Sequence, residues 1–153
     1  MSERRIIAEE AFRAGYNCSQ SVALAFADLV NINKEDLLKL CAPFGGGMGR
    51  LREVCGAFSG SLVILGLIDG YSTPETGEKK AALYKEVQAL ASSFEEQHKS
   101  IVCREIMGLC AGHSAPTPTP RSADFYEKRP CLRCIGDAAE NLETFLLNIG
   151  IIK

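Results

Sequence analysis

The chain has 153 residues, a length suited to one domain that buries its own core. With 46% hydrophobic and 24% charged residues and a formal charge of −2, it carries no basic footprint for nucleic acid or for an anionic membrane surface. Its longest apolar stretch, residues 54–68, includes Ser59, Ser61 and three glycines. That is shorter than the ~20 residues of a membrane span and reads as a buried helix.

In chain order, nearly every periodic segment is helical. Met1-Ser2-Glu3-Arg4-Arg5 opens an amphipathic stretch in place of an apolar leader core, so the cytoplasm is the expected compartment. Ser2 is a natural N-cap for a first helix whose stripe is Ile6, Ile7, Ala11 and Phe12. Asn17 caps a second, predicted to run through Val30 with Val22, Phe26 and Leu29 on one face. Asn33 with Asp36 caps a short third helix ending near Leu40. Pro43 and the run Gly45-Gly46-Gly47-Met48-Gly49 break the pattern. A fourth helix is predicted over residues 53–68, stopping at Asp69-Gly70.

Thr73 and Pro74 suit the cap and first turn of a long fifth helix carrying Tyr84, Val87, Ala91, Phe94 and His98 at steps of three and four. An exposed apolar face on that helix leaves room for a homodimer. A shorter helix is predicted over residues 103–109. The segment 112–121 alternates Pro116, Pro118 and Pro120 with threonine and reads as an extended surface loop. A last helix follows Pro130 and runs through Ile149. No stretch alternates as a strand would. The fold class is all-α, a single-domain bundle of about six or seven helices over residues 1–153.

Seven cysteines stand at positions 18, 41, 55, 103, 110, 131 and 134. An odd count in a reducing compartment points away from a disulfide framework and toward metal binding or catalytic redox chemistry. The strongest motif is Cys131-Leu132-Arg133-Cys134, placed after Pro130 at a helix start. Residues three apart share a helix face, and the helix N-terminus with Arg133 and Arg129 favours thiolate. The motif serves dithiol exchange and equally supplies half of a zinc or iron–sulfur site.

Cys18 follows Asn17 in a first helical turn, a related setting. In Cys55-Gly56-Ala57-Phe58-Ser59-Gly60, the glycines at 56 and 60 bare one helix face, to which another backbone or a cofactor cluster can come close. Cys103 and Cys110 share a face only if their helix survives Gly108. Cys41 is the best candidate for an ordinary buried thiol. The glycine run has neither phosphate-loop fingerprint and follows a helix, so a packed backbone segment is favoured over an anion-binding nest. His98 lies on an apolar stripe and reads as a core residue. His113, near Cys110, reads as an exposed loop histidine before it reads as a metal ligand.

Taken together, Asn17-Cys18-Ser19-Gln20, Phe44-Gly45-Gly46-Gly47-Met48-Gly49, Cys55-Gly56-Ala57-Phe58-Ser59-Gly60, Cys103 and Cys131 resemble the redox-active protein family named for the pattern C_GCAxxG_C_C. The resemblance covers most of the chain. The label writes Gly-Cys-Ala where this chain has Cys-Gly-Ala, so its middle cysteine maps onto Cys55 only approximately. The resemblance implies a signature set of Cys18, Cys55, Cys103 and Cys131, or its neighbour Cys134, but no substrate.

Three functions compete. The first is an oxidoreductase-type role, in electron transfer or thiol–disulfide exchange with a redox protein partner. In it Cys131 or Cys134 attacks, and the other, or Cys55 or Cys18, resolves. The second is a metal module with Cys18, Cys55, Cys103 and Cys131 holding an iron–sulfur cluster or zinc. The third is a structural or interaction protein whose cysteines only pack.

Overall fold

The computed structural model describes residues 1–74, 77–109 and 113–153. Helix α1 (Glu3–Arg13) is capped by Ser2, whose hydroxyl accepts the Arg5 N–H. Helix α2 (Cys18–Leu24) opens with a reciprocal box. The Asn17 side chain accepts the Gln20 N–H, and the Gln20 side chain accepts the Asn17 N–H. Helix α3 (Lys34–Cys41) begins at Asn33, which accepts the Asp36 N–H at 2.8 Å. Next come α4 (Gly56–Asp69), α5 (Glu78–His98), α6 (Cys103–Ile106), α7 (Ala123–Lys128) and α8 (Cys131–Asn148). The fold is all-α, as expected. Its one β feature among the described residues is an isolated antiparallel bridge, Val54 to Val102.

Several boundaries correct the sequence reading. The second helix does not reach Val30. It ends at Leu24 and passes into a 3-10 turn, Ala27–Leu29, where Arg4 Nη1 donates to the Ala25 carbonyl at 2.6 Å. A tertiary donor there takes over a carbonyl that the helix would otherwise satisfy. The fourth helix starts at Gly56, not at 53, because the segment before it pairs with the approach to α6. Cys55 N–H donates to Ile101 O at 2.7 Å, and Cys103 N–H to Glu53 O at 2.5 Å. The fifth helix starts at Glu78 behind Gly77 (φ 81°), beyond Thr73 and Pro74. Gly108 (φ 71°) stops the 103–109 helix at Ile106. Helix α7 was not foreseen. It is capped by Ser122 and anchored by Phe125 against Phe12.

The core lies where α1, α2, α4 and α8 meet, with Phe26, Ile64, Ile135, Leu142 and Leu146 withdrawn from solvent. Each such side chain contributes about 1.5–3 kcal/mol of burial. The α2–α4 crossing is close because Gly60 has no side chain. A Cβ there would lie 2.5 Å from the Ser19 carbonyl oxygen. That crossing brings the starts of α2 and α4, and with them Cys18 and Cys55, side by side. Among the described residues no helix is long and apolar enough to cross a membrane.

Candidate functional site

Cys18, Cys55, Cys103, Cys131 and Cys134 line one cavity of about 290 Å³. A helix start delivers each of them. Cys18, Cys103 and Cys131 open α2, α6 and α8, Cys55 is the residue before α4, and Cys134 completes the first turn of α8. Chain segments distant in sequence are therefore folded so that their thiols share one space. The cavity's upper wall is the Pro/Thr loop, with Pro116, Pro118 and Thr119 in the lining.

The glycine run is a packed turn, as the sequence reading favoured. Gly46, Gly47, Met48, Gly49 and Arg50 all have φ between 66° and 71°. A Cβ at Gly47 would lie 2.6 Å from Cys103 Cβ, and one at Gly45 would lie 2.5 Å from the Asn17 side chain. Met48, Arg50 and Arg52 adopt the left-handed region without being glycine, at about 1–2 kcal/mol each. Backbone strain of this kind persists only where surrounding packing enforces it.

The expectation of thiolates at the helix starts needs correcting for the cavity as it stands. Burial pushes the Cys131 thiol up to about 12, with Cys18, Cys55 and Cys103 adding to the rise and Arg129 opposing it. Burial likewise raises Cys18 to about 12, against the Gly46 and Ser19 N–H groups. Cys103 is raised by burial and drawn back by Arg52, whose Nη1 lies 3.8 Å from its sulfur. Crowded thiols in a low-dielectric space keep their protons, and the helix ends do not outweigh this.

Cys55 and Cys134 are distinct. The neighbouring Cys134 thiol, together with burial, pushes the Cys55 thiol well above its ordinary value. On the other side, Cys134 Sγ lies 3.6 Å from His98 Nδ1. His98 stacks on Phe94 with ring centroids 4.6 Å apart, and its side chain is 4% exposed. Its Nε2 is 3.0 Å from Asp137 Oδ2, close enough for attraction although poorly aligned for a hydrogen bond. Burial lowers the His98 pKa against the pull of Asp137, leaving a neutral imidazole beside the Cys134 thiol. His98 is a core residue, as read, but one in contact with the site. Nothing in the spacing of positions 98 and 134 signals that contact.

The remaining candidates fall as follows. Cys41 is fully buried in the hydrophobic core, away from the cavity. Gly56 lines the cavity against Cys18, whereas Gly60 packs on Ser19. Cys110 lies outside the described residues, and His113 is exposed. Among the described residues, no three His, Cys, Asp or Glu side chains are arranged to hold a metal ion. Four arginines in the lining, Arg50, Arg52, Arg121 and Arg129, were missed as a group. They come from the glycine turn and from the approaches to α7 and α8, and no local motif unites them.

Fold and cavity together define a helical protein with clustered thiols. Residues 16–145 match the family described as "Putative redox-active protein (C_GCAxxG_C_C)". The match spans most of the chain, and the protein belongs to this family. No curated protein and no solved structure matches the chain.

Proposed function

We propose that the protein performs thiol–disulfide exchange through a Cys134/Cys55 couple. The observation carrying this reading is the Cys134 sulfur, 3.6 Å from His98 Nδ1 and sharing one cavity of thiols with Cys55. Cys134 attacks a substrate sulfur while its proton passes to His98 Nδ1, and Asp137 offsets the charge that the imidazole gains. Cys55, in the same cavity, then attacks the Cys134 sulfur of the mixed disulfide and releases the second half of the substrate as a thiol. Cys131 and Cys18 are half-buried residues whose thiols line the same cavity. Redox titration of the reduced protein should show a reversible two-electron couple that disappears in Cys134→Ser and in Cys55→Ser. A couple that survives both replacements would refute the assignment.

A second reading takes Cys18, Cys55, Cys103 and Cys131, which share the cavity but are not placed around a common metal position, as thiols that would have to close in on a cation. A bound cation would replace their protons, and a thiolate set of this kind suits an iron–sulfur cluster or zinc. Protein purified without oxygen separates the readings. Stoichiometric iron with sulfide, or zinc, supports the metal module. Metal-free protein with the two-electron couple supports the dithiol.

A further inference from the structure

We propose that the cavity binds a small organic disulfide bearing carboxylate groups, oriented by Arg50, Arg52, Arg121 and Arg129 and reduced by the thiols beside them. The inference rests on the dithiol reading above and adds the class of substrate. Among the described residues no Asp or Glu lines the cavity. Among the described residues none of these four guanidiniums has a carboxylate within ion-pair distance, whereas Arg4, Arg5, Arg104 and Arg133 each have one.

Arg52 is the most telling. It is 3% exposed, and its partners are neutral: Ser114 Oγ at 2.9 Å, Met107 Sδ at 3.5 Å and Cys103 Sγ at 3.8 Å. A buried cation is unfavourable until an opposite charge reaches it. Arg50 and Arg129 are drawn together on a single hydroxyl, Thr119 Oγ1, at 3.3 Å and 2.8 Å. Two like charges on one neutral oxygen are an arrangement that an anion relieves. Arg121 is held at the rim by the Phe12 and Tyr16 carbonyls.

The rest of the wall decides what kind of anion fits. Phe12, Ile106, Met107, Phe125, Pro116 and Pro118 are apolar and suit a carbon skeleton better than a bare hydrated oxyanion. The volume, about 290 Å³, matches a small molecule at the lower end of ordinary ligand pockets. The reacting bond is set by the thiols. Cys134 forms a sulfur–sulfur bond with one half of the ligand and releases the other as a thiol. Cys55 then displaces the second half. In total, R–S–S–R and two protein thiols give two R–SH and one Cys55–Cys134 disulfide, with two electrons and two protons passing to the ligand.

Single-turnover rates of the reduced protein with dithiodipropionate (dianionic), hydroxyethyl disulfide (neutral) and cystamine (dicationic) test this. Each is divided by the rate of free dithiothreitol with the same disulfide. The dianion should exceed the dication by about tenfold or more. Arg50→Gln and Arg129→Gln should each reduce that ratio to about a third or less, while Lys39→Gln, on the distant surface of α3, keeps it. A ratio near one, or an equal fall in Lys39→Gln, overturns the anion site even if all three disulfides are reduced. Failure to reduce any of them overturns the dithiol reading itself.

Discussion

Two sets of arginines in this molecule are treated in opposite ways. On the α1–α8 face, Arg5 meets Glu9 at 2.9 Å, Asp137 at 2.6 Å and Glu140 at 3.0 Å, and Arg4 pairs with Asp28. Arg5 ties α1 to α8 through Asp137 and Glu140, and Arg4 ties α1 to the 3-10 turn after α2. Around the thiol cavity, Arg50, Arg52, Arg121 and Arg129 are held by hydroxyls, carbonyls and sulfurs, with aromatic rings under two of them. Charges that serve the fold are neutralised within the chain. Charges around the thiols are positioned but left without counter-charge, which is the condition expected of a binding site.

The sharpest test of that contrast is stability. Arg5→Ala takes a shared cation from three carboxylates, leaving the buried Asp137 with only Arg133 at 3.6 Å as an ion-pair partner, and should cost about 2–4 kcal/mol in urea unfolding. Gly60→Ala should cost about 1–3 kcal/mol, because the new Cβ meets the Ser19 backbone, where no rotamer change can relieve it. Arg52→Gln, at a position only 3% exposed, should change stability by less than about 1 kcal/mol, since it removes an uncompensated cation. A loss at Arg52 equal to that at Arg5 would break the contrast.

The smallest effect at neutral pH concerns the thiols. Cys18 and Cys131 keep their protons to about 12 in the fold, against an ordinary value near 9. Above pH 9 the unfolded chain therefore binds fewer protons than the folded one, and stability falls as pH rises through that window. In unfolding measured across pH 8 to 11, Cys131→Ser should flatten the fall. An unchanged slope would show that the Cys131 thiol is not buried as described.

Much of this was legible in the sequence. Ser2, Asn17 with Gln20, and Asn33 with Asp36 announce their helix starts because capping is local chemistry, carried by side chains three residues from the N–H they satisfy. Cys41 reads as core, and it is. The other boundaries depend on distant partners. Only the fold brings Arg4 to the end of α2, or lays residues 52–55 against 101–104. The site divides the same way. CxxC spacing points to Cys131 and Cys134 as a pair, and it gives no sign that Cys55 from another helix shares their cavity or that His98 lies 3.6 Å from the Cys134 sulfur. Such contacts follow from helix packing and leave no spacing rule for the sequence to show.

The central claim is the Cys134/Cys55 couple. Oxidising the reduced protein with one equivalent of diamide, alkylating the remaining thiols and mapping the peptides by mass spectrometry addresses it directly. A dominant Cys55–Cys134 link with Cys131 alkylated is the expected result. A dominant Cys131–Cys134 link, with Cys55 alkylated, would contradict it.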